Sequence, residues 1–225
     1  MVFALLIPTT SLDTNTLKAK GICEPKVGKL DCPNMVFRFD WSGVNFSGGN
    51  FEGAIFDAAD LTGANFSKAN LKKADFRSSK SRSAPLGEDY DPNYSICKFG
   101  NCPVDANLTR VNFSGANLNG AKLGSIESGT NFSNAFFPNA TFSGDDRLRG
   151  VSFRGAYLKG STFYDGDLTG ADFSGSNLEN ARFLGGTQFP LIMTNTKFKG
   201  ALLTGTKFPN QCKKINKNYD SWSCK

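Results

Sequence analysis

The chain has 225 residues, with 26 Lys and Arg against 20 Asp and Glu, and a formal net charge of +6 at pH 7. It contains no histidine, which excludes Ser-His-Asp and Cys-His catalysis and removes the usual proton acceptor at neutral pH. An enzyme would have to act through carboxylates, lysines or cysteines alone. We therefore expect a non-enzymatic protein with no catalytic residue, metal or cofactor.

Residues 1–38 lack the pattern that fills the rest of the chain and are predicted to form an N-terminal cap. A short helix between Ser11 and Gly21 fits the Ser and Asp before Leu12 and the closing glycine. The first ten residues are apolar for about seven positions, too few to span a bilayer and without the basic start of a signal peptide. They are either a cap strand or the remnant of a targeting sequence. No other apolar run predicts a membrane span.

A large apolar residue returns at every fifth position over residues 39–78, and a small residue usually stands two positions before it. In a helix, successive members would lie about 140° apart, and in a strand they would alternate between faces. Short extended pieces joined by corners such as Thr62-Gly63 keep them all inside. The pattern predicts a solenoid with coils about 4.8 Å apart. The predicted interior residues here are Phe46, Phe51, Phe56, Leu61, Phe66, Leu71 and Phe76.

The pattern stops over residues 79–105, which are predicted to be an inserted loop. Long loops in compact domains are often functional. Tyr90 and Tyr94, beside several acidic residues, are candidates for contact with a partner protein. The alternative is a loop that the fold tolerates without using it.

Residues 106–208 resume the pattern with two irregularities. It slips near 124–130, and Gly185–Phe189 is interpreted as a bulge. We predict about five coils here and about seven in all, closed by a C-terminal cap over residues 209–225. Both caps would cover the open ends of the solenoid. Further predicted interior residues are Phe153, Leu158, Phe163, Leu168, Phe173, Leu178 and Phe183.

Six cysteines are grouped by proximity outside the predicted repeats. Caps and loops with little core are where disulfides help most, so local disulfides and an oxidising compartment are predicted. A periplasm, a thylakoid lumen or secretion would fit. Reduced cysteines in a cytoplasmic protein, or a metal site, are the alternatives, and six cysteines permit fifteen connectivities. The candidate pairs are Cys23 with Cys32, Cys97 with Cys102, and Cys212 with Cys224.

Basic residues are concentrated in three places, and such groups can face an anionic partner. The alternative is a solvated surface that keeps a Phe-rich rod in solution. Nucleic acid is not expected, because the aromatic residues are committed to the interior instead of stacking outside. The first group contains the partner-binding candidates Lys72, Lys73, Arg77 and Arg82. The second group is Arg147, Arg149, Arg154 and Lys159, and the third is Lys213, Lys214 and Lys217.

The repeated unit A-[DN]-[LF]-x-G resembles the pentapeptide repeat family, as in Ala59-Asp60-Leu61-Thr62-Gly63 and Ala116-Asn117-Leu118-Asn119-Gly120. The resemblance implies an all-β, right-handed quadrilateral β-helix with four repeats per coil. Interior residues twenty positions apart should then stack, Phe46 on Phe66 and Phe51 on Leu71.

The resemblance also bears on function. The predicted rigid solenoid without catalytic residues favours a structural or scaffolding protein that binds another protein through the loop, a cap or a flat face, as a monomer or as a dimer. Some members resemble duplex DNA as acidic rods and inhibit DNA gyrase or protect it from quinolones. Because this chain is basic and not acidic, a gyrase-binding DNA mimic is only an alternative function. A protein that binds an anionic partner through its basic surface is the other alternative.

Overall fold

A computed structural model of the chain describes residues 24–26, 29–37, 41–56, 59–77, 106–123, 126, 128–142, 148–185, 191–210, 212–214 and 221–224. The helix predicted between Ser11 and Gly21 lies outside them. No helix in this part of the chain is long and apolar enough to cross a membrane. The strands in these ranges are β1 (Glu24–Lys26), β2 (Lys29–Asp31), β3 (Val36–Phe37), β4 (Ile55–Phe56), β5 (Thr141–Phe142), β6 (Thr162–Tyr164), β7 (Arg182–Leu184), β8 (Thr196–Lys197), β9 (Cys212–Lys214) and β10 (Ser221–Cys224).

The chain winds as the predicted right-handed quadrilateral β-helix, so the fold class is confirmed. Parallel bridges join residues twenty positions apart, as between Asn45 and Asn65. The N–H of Phe46 donates to the carbonyl of Asn65 at 2.7 Å, and the N–H of Asn65 donates to Val44 at 2.9 Å. Each coil is therefore bonded to the next through the backbone. Within the described residues we number the coils 1 (41–56), 2 (59–76), 3 (106–123), 4 (126–142), 5 (148–163), 6 (167–183) and 7 (191–208).

The interior consists of side chains stacked in register along four sides. Phe46 lies on Phe66 with ring centroids 4.7 Å apart, which confirms the predicted stacking. Rings on opposite sides meet edge to face across the interior, as Phe163 and Phe173 do at 5.2 Å and 88°. All fourteen predicted interior residues are buried. The second side stacks Phe46, Phe66, Phe113, Phe132, Phe153, Phe173 and Phe198. The fourth stacks Phe56 on Phe76, and stacks Phe142, Phe163, Phe183 and Phe208 on one another, with partly buried Leu123 next to Phe76.

The outward position before each interior residue explains the preference for Asp and Asn. The carboxylate Oδ1 of Asp60 accepts the N–H of Thr62 at 3.0 Å and so holds the corner. Asparagine can do this and also bond to the next coil: the Nδ2 of Asn65 donates to the Oδ1 of Asn45 at 3.1 Å, and Asn112 repeats the contact on Asn65 at 3.2 Å. The A-[DN]-[LF] pattern thus specifies both the corner and the stacking.

Two insertions in the sequence do not break the pairing of the described residues on either side of them. Asn65 pairs with Asn112, 47 positions later, which is one coil plus the 27 residues of 79–105. Asp167 pairs with Ile192, 25 positions later. The prediction of a bulge over Gly185–Phe189 was therefore wrong in size, because a whole repeat of five residues is extra there. An insertion of one repeat length keeps the five-residue frame, which is why the sequence pattern concealed it.

The solenoid begins earlier than predicted. The N–H of Cys32 donates to the carbonyl of Asn50 at 2.7 Å, and the ring of Phe37 stacks on Phe56 at 4.8 Å. Both side chains are buried at interior positions, so residues 30–37 follow the coil and overlap the predicted cap of residues 1–38. The expectation that every cysteine lies outside the repeats was wrong for Cys32.

The described ends carry antiparallel hairpins. Strands β1 and β2 pair with each other before the first coil. Strands β9 and β10 form a hairpin in which Cys212 and Cys224 are Cα partners. Strand β10 also pairs with β8, placing Trp222 opposite Thr196, so the hairpin covers the edge of coil 7 on one side.

Candidate functional site

The spacing between paired residues departs from twenty by single residues around coil 4. Asn112 pairs with Asn131 and Asn117 with Phe136, nineteen positions later, whereas Asn131 pairs with Ser152 twenty-one positions later. Among the described residues, buried Ile126 lies three positions after Leu123 and six before Phe132, which is nine positions where two regular repeats span ten. The chain is one residue short after coil 3 and regains it after coil 4.

The backbone ladder between coils 3 and 4 is open on the fourth side. The last bond of the regular series joins the N–H of Leu118 to the carbonyl of Phe136 at 2.8 Å. Beyond it, the N–H groups of Gly120, Leu123 and Thr141 have no backbone partner among the described residues. The equivalent bonds between coils 2 and 3 are all made: Lys73 N–H to Asn119 O at 3.0 Å, Phe76 N–H to Lys122 O at 2.8 Å, and Lys122 N–H to Ala74 O at 2.9 Å.

This opening forms a surface cavity of about 270 Å³, which we call the junction groove. One lip is Gly120–Leu123 and the other is Phe137–Thr141. Ala121 and Leu123 are only half-buried, whereas Ala74 and Phe76 at the same positions of coil 2 are fully buried. The groove therefore reaches the apolar interior.

Ser161 of coil 5 supports the second lip. In a regular corner the N–H of the small residue donates to the preceding interior carbonyl, as Ala74 donates to Leu71 at 3.0 Å. Here the N–H of Ala140 donates to the Oγ of Ser161 at 3.1 Å, and that hydroxyl donates to the carbonyl of Phe137 at 3.4 Å. A buried hydroxyl thus replaces the direct bond and widens the corner.

An exposed aromatic pair lies beside the groove. Phe136 is 42% exposed, and its ring stacks on Tyr157 of coil 5 at 5.0 Å and 22°. Asn50, Asn70 and Asn117 occupy the same outward column in coils 1 to 3. Phenylalanine cannot accept the corner N–H as asparagine does, but the corner residue is Pro138, which has no N–H to offer. The local sequence therefore presents an aromatic side chain without an unsatisfied corner donor.

The rim of the groove is basic. Lys122 is exposed on one lip. The side chain of Lys73 lies beside Gly120 of the same lip, with its Cγ 3.6 Å from where a Cβ atom on Gly120 would be. Neither lysine has an ion-pair partner within the described ranges. Lys73, one of the predicted partner-binding residues, therefore lies beside the groove.

The second predicted basic group differs, because its described members are paired with acids of the next coil. Arg149 contacts Asp167 and Arg154 contacts Asp172, both at 3.0 Å, and Lys159 contacts Glu179 at 3.3 Å. Burial would raise the pKa of Asp172, but hydrogen bonds from Ser174 and Arg154 outweigh it, so this pKa lies below its usual value. These side chains join coils 5 and 6 and present less free charge than predicted.

The structure places the other candidates as follows. Lys72 pairs with Glu52 at 3.6 Å, and Arg77 pairs with Asp75 at 3.0 Å within its own repeat. Cys32 is disulfide-bonded. No group of three or more Cys, Asp or Glu side chains in the described ranges could hold a metal ion. Tyr90, Tyr94, Arg82, Arg147, Cys23, Cys97 and Cys102 lie outside the described residues.

Sequence reasoning missed Phe136, Tyr157, Lys122 and Ser161. A signal for Phe136 was present: it occupies an Asp or Asn position and is followed by proline in place of a residue with an N–H. The slip near 124–130 indicates an irregular coil, but the pattern does not specify which side of a solenoid a missing residue will open.

Comparisons with known proteins concern the repeats. A search of curated proteins finds no match. A trypsin-treated form of QnrB1, a plasmid-mediated fluoroquinolone resistance protein, is 23% identical over 80% of this chain and 83% of its own, with a TM-score of 0.33. HetL from the cyanobacterium Nostoc sp. strain PCC 7120 is 17% identical over 87% and 94%, with a TM-score of 0.26. Values this low give no ground for transferring a partner or a role.

A thylakoid-lumen pentapeptide repeat protein from Arabidopsis thaliana is 19% identical over 76% of this chain and 62% of its own, with a TM-score of 0.16. The family models are more direct, because they match the residues that build the coils. One model of pentapeptide repeats matches eight copies over residues 42–77 and 104–124, and a second matches nine copies over 148–190. The chain carries pentapeptide repeats over residues 42–77, 104–124 and 148–190.

Proposed function

We propose that this chain is a non-enzymatic scaffold that binds a protein partner at the junction groove and the adjoining Phe136–Tyr157 pair. The open ladder beside an exposed aromatic stack carries the proposal. Interface centres favour aromatic anchors beside desolvated pockets, and this pair adjoins a groove that reaches the core. The bonded coils on either side would hold both features rigidly.

The two alternatives have less support. A DNA mimic needs an acidic rod, and the net charge of this chain is +6. A binder of a large anionic surface needs free cations, whereas Arg149, Arg154 and Lys159 are engaged by acids of the next coil. The inserted residues Tyr90 and Tyr94 remain candidates for a second contact with the partner.

The proposal includes an oxidising compartment. Cys32 is disulfide-bonded, and the register of β9 and β10 sets Cys212 opposite Cys224, where a cross-strand disulfide would hold the hairpin. Counting thiols in the denatured protein purified without reductant tests this part. We expect no free thiol, and six would contradict it.

Site-specific photo-crosslinking in the source cells tests the site. A photoreactive residue at Phe136 should capture a discrete partner protein. The same residue at Leu202 is the matched control, because Leu202 is 55% exposed in the same outward column but lies in coil 7. Capture from both positions equally, or from neither, would contradict the proposal.

A further inference from the structure

We infer that the junction groove takes an extended acidic peptide segment, which enters between coils 3 and 4 and restores the missing backbone bonds. This inference rests on the proposed function and names the chemistry of the partner. It assigns recognition to the main chain of the groove as well as to side chains.

The two lips offer the hydrogen-bonding groups of a sheet with one strand missing. In a regular coil, three N–H groups of this junction would find acceptors across it. Those donors and their acceptors are unpaired among the described residues, and unpaired ladder groups are a template for an added strand. An extended peptide presents N–H and C=O groups to both sides and can meet both lips. The donors are Gly120, Leu123 and Thr141, and the acceptors are the carbonyls of Ala121, Pro138 and Thr141.

The size and lining of the groove suit a short stretch of chain. Its volume of about 270 Å³ is comparable to about nine water molecules at about 30 Å³ each. Half-buried Ala121 and Leu123 form an apolar floor for one inward side chain of the peptide. Phe136 directly precedes the second lip, and its exposed ring can cover an apolar residue of the peptide.

The charge at the rim selects acidic peptides. Lys122 lies on the lip, and Lys73 lies against Gly120; no described carboxylate neutralises either one. Asp75, the described acid nearest in the same outward column, is engaged by Arg77. A peptide with carboxylates flanking its inserted residues would place them against these lysines, which speeds association and disfavours basic sequences.

The experiment uses the full chain and a synthetic probe, an acetylated and amidated heptapeptide with alternating glutamate and valine. Amide hydrogen exchange, followed by NMR, reports on the lips. In the free protein we expect fast exchange at Gly120, Leu123 and Thr141 and slow exchange at their bonded equivalents Lys73, Phe76 and Lys122. The probe should protect the three fast amides.

Variants and altered probes separate the contributions. Lys122→Glu should weaken probe binding about tenfold, whereas Lys207→Glu, exposed in the same column but in coil 7, should leave it unchanged. A probe with N-methylated backbone amides should not bind, because it cannot pair with the lips. A probe with lysine in place of glutamate should bind at least tenfold more weakly.

Several outcomes would overturn the inference. These are slow exchange of the three amides in the free protein, no binding of the glutamate probe, equal binding of the N-methylated probe, or equal effects of the two lysine variants. Crosslinking from Phe136 without amide protection would leave the scaffold function standing and remove only the strand-like mode of binding.

Discussion

Two junctions of the same solenoid respond in opposite ways to a change in chain length. Between coils 2 and 3 the chain carries 27 additional residues, yet the bonds on either side of the insertion are made, including that from Ala106 N–H to Phe76 O at 2.8 Å. Between coils 3 and 4 a single residue is missing and the fourth side opens. Extra residues can be accommodated at a corner, whereas a missing residue makes the chain too short to follow the full path of a coil.

The same contrast explains the added repeat near coil 7. Its five residues lie between Gly185 and Leu191, and the bonds beyond it are regular, as from the N–H of Leu168 to the carbonyl of Ile192 at 2.8 Å. Ion pairs also join coils 5 and 6, while none joins coils 3 and 4 among the described residues. Local chain length therefore decides where a rigid repeat fold becomes accessible.

The largest expected difference concerns the interior of the two regions. Phe163 is buried between Phe142 and Phe183, with centroids 4.6 and 4.7 Å away, so Phe163→Ala should lower the free energy of unfolding by about 3–5 kcal/mol. Leu123→Ala at the half-open position should lower it by about 1–2 kcal/mol. Chemical denaturation measures both, and equal losses would mean that the groove is closed in solution.

One added residue should close the groove. Inserting a single glycine after Leu123 restores twenty positions between coils 3 and 4 and allows the three missing ladder bonds to form. At about 0.5–1.5 kcal/mol per bond, we expect the free energy of unfolding to rise by about 1–3 kcal/mol. The amides of Gly120, Leu123 and Thr141 should become slow to exchange, and the glutamate probe should no longer bind. Unchanged exchange of these amides would show that the missing residue does not cause the groove to open.

A smaller effect is expected at the closed junction of coils 5 and 6. Asp172 has a pKa below its usual value, so it stabilises the fold above the unfolded pKa and loses this effect as pH falls through the folded one. Asp172→Asn should lower the free energy of unfolding by about 0.5–1 kcal/mol at pH 7. The difference from the natural chain should vanish on acidification toward pH 2 in parallel denaturation curves. A difference independent of pH would contradict the ion-pair explanation.

The smallest effect is expected from removing the insertions. Deleting residues 79–105 joins Ser78 to Ala106 and leaves the five-residue frame continuous, and deleting 186–190 joins Gly185 to Leu191 with the same result. Because loop length contributes little to the free energy of closure, each deletion should change the free energy of unfolding by less than about 1 kcal/mol. A loss above about 2 kcal/mol would show that the deleted residues stabilise the coils.

Much of the fold could be predicted, because the same five-residue pattern recurs in nearly every coil. The burial of Phe46 follows from the five-residue period and the small residues beside it, and its stacking on Phe66 follows from the four repeats per coil that the family resemblance implies. The added repeat after Gly185 could not be predicted, because it preserves that period. Cys32 was misplaced because a cysteine followed by proline does not match the repeat pattern, although its backbone and burial do.

The sequence by itself determined the architecture of this protein, since a large apolar residue at each fifth position can be buried only if the chain turns a corner in every repeat, and the resemblance to the pentapeptide repeat family implied four such corners per coil. Tertiary structure alone decided which charges are free and which are paired, because residues such as Arg154 and Asp172 are brought together by the stacking of coils. It also decided where the solenoid opens. The missing residue is visible in the chain, but the groove that it creates depends on how coils 3 and 4 are held by their neighbours.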